Sequence, residues 1–194
     1  MIGVSEATRA VLEDADCAAR SDAKVLITGE SGVGKEVVAR HVHQRSARAG
    51  GPLVTINCAG VPDSLLESEL FGHVKGSFTD AYRDKKGWLE GAQGGTVFMD
   101  EVGEMSLRMQ AMLLRFLETG EIQRVGSDRR LPPVDVRVIT ASDAKGLEEV
   151  LQTMARAKPA GLIVFETRYS QWTRFSKAPS RPICPSNSPP LSSW

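Results

Sequence analysis

Four short apolar runs punctuate the chain between its start and about residue 149. Val25-Leu26-Ile27, Leu53-Val54-Thr55-Ile56, Thr96-Val97-Phe98-Met99 and Val134–Thr140 read as buried strands, and Gly50-Gly51-Pro52 is the breaker ahead of the second. Between them the apolar spacing turns helical. Ala7, Ala10, Val11, Asp14 and Cys17 outline an amphipathic first helix with Ser5 as its N-cap. Further helices are expected from Lys35 to about Ala47, over Ser64–Leu70, and from a Ser106 cap to about Leu117. The last carries Met109, Met112, Leu113, Phe116 and Leu117 as its apolar positions, and Leu147–Met154 begins one more helix. Short apolar strands separated by helices predict an α/β fold, a mostly parallel sheet covered on both faces.

Composition changes this picture little. A chain of 194 residues, 41% hydrophobic and 25% charged, can build one substantial core. Its formal net charge of zero gives no global attraction to nucleic acid or membrane surfaces. Cys17, Cys58 and Cys184 are widely spaced and form no C-x-x-C pair, so reduced thiols are expected rather than a disulfide frame or zinc site. No apolar stretch approaches the roughly 18 residues of a membrane span, and no signal-peptide pattern follows Met1. The expected location is cytoplasmic.

Chemistry enters at Gly29-Glu30-Ser31-Gly32-Val33-Gly34-Lys35-Glu36, between the first strand and the second helix. Glycines here let successive backbone N–H groups converge on one anion. The helix beginning near Lys35 adds the positive end of its dipole, and Lys35 an ammonium for the outer phosphates. The spacing fits the phosphate-binding loop G-x-x-x-x-G-K-[ST] except that Glu36 replaces the final hydroxyl. A glycine-rich turn without such a role is the plainer alternative.

A second cluster ends the third strand. Asp100 and Glu101 are placed at the carboxyl edge of the sheet, where open α/β folds bind ligands. In a nucleotide hydrolase the first acid organises Mg²⁺, usually through its water shell, and the second polarises the attacking water. Taken alone, the pair could equally begin a solvated loop. The three histidines suggest no metal site: His41 and His43, two apart on a helix, face different ways.

Several of these segments, in this order, resemble one family. Gly29–Glu36, Glu69-Leu70-Phe71-Gly72-His73, Gly76-Ser77-Phe78-Thr79-Asp80-Ala81, Gly94–Glu101, Leu113–Glu121, Arg124-Val125-Gly126 and Val136–Ile139 are similar to the central AAA+ ATPase domain of sigma-54-dependent transcriptional activators, the bacterial enhancer-binding proteins. The likeness covers roughly residues 1–150. It implies a three-layer P-loop NTPase that binds ATP and Mg²⁺ and couples hydrolysis, in a homo-oligomeric ring, to remodelling of sigma-54 RNA polymerase. It accounts for Glu36, because the family commonly has Glu after the P-loop Lys.

The resemblance also assigns roles. Gly76–Ala81 becomes the loop touching sigma-54, with Phe78 its apolar tip and Thr79 beside it. From spacing alone Phe78 would read as a core aromatic. Asn57 matches the position that hydrogen-bonds the catalytic Glu101, although an Asn that merely caps its strand would look the same. Two departures stand out. The usual loop reads Gly-Ala-Phe-Thr-Gly-Ala, whereas this chain has Ser77 and Asp80, the second adding charge and removing a glycine. Asp143 stands where an Asn would sense the γ-phosphate, and a carboxylate there is unfavourable unless protonated or metal-bound.

Near residue 150 the resemblance stops. The family's arginine-finger helix, last strand and helical lid are not recognisable, so the expected division is a partial domain over 1–155 and an unrelated tail over 156–194, largely disordered from 176. Ser176–Trp194 holds five of the ten prolines and six serines, a composition poor in core-forming residues. A frameshift or a gene-calling artefact is the leading explanation, against a natural linker or disordered tail: standard codons for Pro159–Ile163, read one nucleotide later, can encode Arg-Gln-Asp-Leu. Leu162-Ile163-Val164-Phe165 could still form a strand. Without fingers, for which Arg168, Arg174 and Arg181 qualify only by charge, hydrolysis by this chain alone is expected to be weak or absent, and ring assembly is doubtful. The second reading is therefore a nucleotide-binding module without catalysis. Chaperone-like unfoldases are a more distant option, and neither reading predicts direct DNA binding.

Overall fold

The computed structural model describes residues 6–143 and 162–166. The expected helix at Leu147–Met154, the Ser5 cap and the remaining tail lie outside the described residues. Within them the order is α1 (Glu6–Ala19), β1 (Lys24–Thr28), α2 (Lys35–Arg45), β2 (Leu53–Asn57), α3 (Asp63–Phe71), β3 (Gly72–His73), β4 (Lys85–Lys86), α4 (Trp88–Gly91), β5 (Thr96–Asp100), a 3₁₀ turn (Val102–Glu104), α5 (Leu107–Thr119), β6 (Arg137–Ser142) and β7 (Leu162–Glu166). Five strands form one parallel sheet in the order β2-β5-β6-β1-β7.

Strand alternation divides the core in two. Val25 and Ile27, Phe98, and Ile139 and Ala141 face α1 and α2, where they meet Ala15, Ala18, Val38, Ala39 and Val42. Leu26, Val97, Met99 and Val138 face the other way, onto Leu66 and Leu70 of α3, Leu89 of α4, and Met109, Leu113 and Phe116 of α5. The inner strands β1, β5 and β6 thus bury both sides, which is why these segments read as continuous apolar runs. Helices on both faces make the three-layer α/β architecture.

Several boundaries move for identifiable reasons. The fourth strand starts at Arg137 rather than Val134, because the preceding backbone is already bonded elsewhere: Val134 N–H to Gly120 O (2.9 Å) and Asp135 N–H to Gln93 Oε1 (3.1 Å). Helix α2 ends at Arg45 because Ser46 turns back, donating from its hydroxyl to His43 O at 2.8 Å. The candidate strand at Leu162–Phe165 is a strand, paired in parallel with β1 from Lys24↔Leu162 to Thr28↔Glu166. The sheet therefore draws an outer strand from beyond residue 155, and β1 lies inside it. Arg137 opens β6 almost fully buried, its guanidinium donating to Ala18 O at 2.8 Å at the end of α1 and to Ala23 O at 3.3 Å.

Cys58 is a free, buried thiol. Among the described residues no helix is long and apolar enough to cross a membrane.

Candidate functional site

The carboxyl ends of β1, β2, β5 and β6 lie on one edge of the parallel sheet, and each carries a residue singled out from the sequence. Beyond β1 the chain enters the loop Gly29–Gly34. Gly29 is buried and ties the loop to the neighbouring strand through its N–H to Ser142 O (3.2 Å). Gly32 and Gly34 take φ of 83° and 93°, a left-handed region that a Cβ disfavours. Gly34 is the N-cap of α2, and its carbonyl receives the Val37 and Val38 N–H groups at 2.9 and 3.2 Å. The first N–H groups of α2 have no carbonyl one turn earlier, so they point outward as donors. Glu30 and Ser31 are exposed and Val33 is half-buried at this mouth.

Lys35 is 4% exposed. Its Nζ donates to Gly29 O at 3.1 Å and to Glu101 Oε1 at 2.9 Å, and stands 4.0 Å from Asp100 Oδ1. The P-loop lysine and the acid pair, 66 positions apart in sequence, are in direct contact. Glu36 points away from them and pairs with Arg40 one turn on, at 2.6 Å on the exposed face of α2.

Asp100 ends β5, and its Oδ1 accepts the Glu101 N–H at 3.0 Å. Burial raises its pKa above the ordinary carboxylate value; Lys35 and the Glu101 N–H pull the other way, and Glu101 and Glu36 add to the rise. Glu101 has φ 52° and ψ 46° and is the one non-glycine residue with positive φ among the described residues. That conformation costs about 1–3 kcal/mol and persists only where surroundings enforce it. Here the Lys35 contact and the 3₁₀ turn, whose Glu104 N–H reaches back to Glu101 O at 3.0 Å, hold it. Beside them Cys58 is an inert thiol: burial, with the Asp100 charge adding to it, pushes its pKa up to about 12.

Asn57 lies in register with Asp100 on the adjoining strand. Its Oδ1 accepts the Ala59 N–H at 2.9 Å, while the Glu101 carboxylate is held by Lys35. The expected Asn57–Glu101 hydrogen bond is thus not the arrangement adopted here. Asp143 follows Ser142 directly, so it stands next to the strand end that fastens Gly29.

The loop Gly76–Ala81 belongs to an excursion between α3 and α4, based on the two-residue antiparallel ladder of β3 with β4. It closes on itself through Gly76 N–H to Ala81 O (2.8 Å) and Ala81 N–H to Phe78 O (3.0 Å). Thr79 and Asp80 are exposed, and Phe78 is 44% exposed rather than a core residue. A parallel bridge between His73 and Val125 supports its base.

Sequence reasoning missed the left-handed Glu101, which no spacing signals. It also passed over what the histidines do: His41 pairs with Asp16 (2.7 Å), His43 with Thr96 Oγ1 (2.9 Å) and His73 with Ser68 Oγ (2.7 Å). Among the described residues no group of three or more His, Cys, Asp or Glu could hold a metal ion.

Comparison with known proteins agrees with this geometry. The anaerobic nitric oxide reductase transcription regulator NorR of Salmonella arizonae is 54% identical over 157 residues, 81% of this chain and 31% of that protein. The chain therefore spans about a third of the length of such relatives. The crystal structure of NtrX from Brucella abortus has a TM-score of 0.73 at 33% identity, covering 84% of this chain and 37% of that one. NtrX in complex with ATP gives 0.69 at 32%, covering 86% and 38%. The P-loop NTPase domain of a sigma-54 activator from E. coli is alike in fold alone, with a TM-score of 0.50 at 18% identity over 85% of this chain and 98% of that one. The model of the sigma-54 interaction domain matches residues 1–158, and the chain belongs to that family.

Proposed function

We propose that this chain is an ATP-binding motor module that engages sigma-54 RNA polymerase through Gly76–Ala81 to activate transcription in the cytoplasm. The observation that carries the reading is the contact of Lys35 with Glu101 at 2.9 Å, beside Asp100, at the mouth of the α2 N-terminus. A triphosphate seated on the outward N–H groups of the loop and first helical turn meets the Lys35 ammonium at its outer end. NtrX, a relative by structure, was crystallised with ATP and with ADP, which supports the same ligand here.

The residues fit Mg²⁺ of the kind that borrows most of its ligands from phosphate and water: one carboxylate, Asp100, lies 4.0 Å from the Lys35 ammonium, with no all-protein cage among the described residues. Mg²⁺ bound there would neutralise charge on the phosphate oxygens. Glu101, held in its left-handed conformation, is placed to orient a water and accept its proton once Lys35 turns to the phosphates. Asn57, one strand away, can then take the freed carboxylate. A finger-bearing partner subunit would supply the remaining catalytic charge in trans.

One observation favours the second reading, a nucleotide-binding module with little turnover. Asp143 follows the strand end bonded to Gly29, so its carboxylate adds negative charge near the phosphate cradle. Equilibrium binding of ATP with Mg²⁺, alongside phosphate release, separates the two. Binding lost in Lys35→Ala with measurable release in the parent supports the motor. Binding without release, restored by Asp143→Asn, supports the module, and no binding at all defeats both.

A further inference from the structure

Phe78 is the exposed tip of the loop assigned to partner contact, yet one side of its ring is not free. The His73 imidazole meets it edge to face, with centroids 4.9 Å apart and planes at 69°. His73 is itself 8% exposed, and its Nδ1 shares a hydrogen bond of 2.7 Å with Ser68 Oγ in the last turns of α3. The backbone around it is pinned from both sides: Val125 N–H donates to Gly72 O (2.9 Å) and Val74 N–H donates to Val125 O (3.1 Å). The imidazole is therefore a fixed surface, and the phenyl ring leans on it.

Helix α3 in turn is tied to the nucleotide edge. Asp63 in its first turn accepts the hydroxyl of Ser106, the N-cap of α5, and Glu67 pairs with Arg108 at 2.9 Å. Ser106 comes five residues after Glu101, just past the 3₁₀ turn. Side-chain contacts thus run from the start of α5 to α3, and from α3 through Ser68 to His73 and Phe78.

We propose that His73 is a positioning residue, a seat that holds Phe78 partly against the body and that the loop must leave to engage its partner. This rests on the reading of Gly76–Ala81 as the sigma-54 contact. An edge-to-face aromatic pair shifts a seated-to-free population by about 2- to 12-fold. That range suits a contact to be broken and remade in each cycle, where a fully buried anchor would not release. Ser68 sets the ring orientation, so its loss should loosen the seat without emptying it.

The test uses the full chain and reads two quantities: aromatic NMR shifts of the Phe78 ring, which the imidazole ring current displaces, and binding to purified sigma-54 without nucleotide. In His73→Ala the Phe78 shifts should move toward free-phenylalanine values, and nucleotide-free binding should rise about 2- to 12-fold. Ser68→Ala, which leaves the core ring in place, should give a smaller change of the same sign. His73→Phe, which restores an aromatic face, should return both readouts toward the parent. Unchanged Phe78 shifts in a folded His73→Ala or Ser68→Ala protein overturn the seat. If shifts move as expected but Phe78→Ala binds sigma-54 as the parent does, the seat stands and the partner assignment of the loop fails.

Discussion

The nucleotide edge and the partner loop are built by opposite means. At the edge, Val25, Leu26, Ile27, Val97 and Met99 are fully buried and lead directly into the chemical groups, so the cradle and acid pair sit on the stiffest part of the sheet. The loop stands on a two-residue ladder, closes mainly on its own backbone, and exposes Phe78 at 44%, with Tyr82 just beyond it at 78%. Phosphate chemistry requires groups fixed within fractions of an ångström, whereas a loop that must reach into a partner requires a low cost of leaving. Strain is placed accordingly: the left-handed Glu101 is affordable only because rigid strands surround it.

The comparison breaks most sharply if the two regions cannot be disabled separately. Lys35→Ala removes a buried cation from between Gly29 O and Glu101. ATP affinity, measured by calorimetry with Mg²⁺, should fall about 30-fold or more, the usual cost of truncating one partner of a buried charged contact. The Phe78 ring shifts should stay as in the parent. The reverse variant, Phe78→Ala, should lose about 30-fold in sigma-54 binding, as expected for an aromatic hot spot, with ATP affinity unchanged. A variant that moves both readouts would show that the loop and the site are one cooperative unit.

These two regions were also unequally legible in the sequence. The edge announced itself because a strand, glycines and a lysine at fixed spacing leave few other structures, and because apolar runs such as Thr96–Met99 end abruptly in acids. Boundaries were lost where tertiary bonds override local pattern. Val134 reads as strand but spends its N–H on Gly120, and Arg137, a charged residue inside the expected strand, lies buried against the end of α1. The exposure of Phe78 could be argued only from family likeness, since an aromatic in a glycine-bounded segment fits a core equally well. Glu101's backbone depends on contact with a residue far away in sequence, and the seat formed by His73 on how a short turn folds Phe78 back, and no periodicity encodes either.

A smaller effect sharpens the account of the loop base. Gly126, at φ 78°, lies so close to Ser77 that an added Cβ would approach the Ser77 Cβ at 2.4 Å. Gly126→Ala should therefore destabilise the fold by about 1–3 kcal/mol in denaturant titration, through combined strain and overpacking. Ser77→Ala should do the opposite. Its Oγ is buried without a hydrogen-bond partner, so removing it should stabilise by about 1 kcal/mol. Equal destabilisation by both changes would mean that the hydroxyl is satisfied after all.

The least effect expected is on the acid side of stability, where the scaffold and the site pull in contrary directions. Burial, with Arg137 adding, holds His43 below its ordinary pKa of 6.5 in the fold. The unfolded chain then binds the proton more readily, so the His43 contribution is intact above about pH 6.5 and is lost as pH falls through the window beneath it. Asp100 has the other sign: its folded pKa is raised above 3.8, so the ionised group opposes folding. The stability linked to its protonated form is lost as pH rises from 3.8 through the folded value. Denaturant midpoints from pH 7 to pH 5 should thus decline in the parent and decline less in His43→Gln, which cannot titrate and can still bond Thr96 Oγ1. Asp100→Asn should lie above the parent at pH 7 while weakening Mg²⁺-dependent ATP binding. A site variant that strengthens the fold and impairs the ligand is what strain concentrated at the nucleotide edge requires. A His43→Gln slope equal to the parent's would place the acid-sensitive group elsewhere in the scaffold.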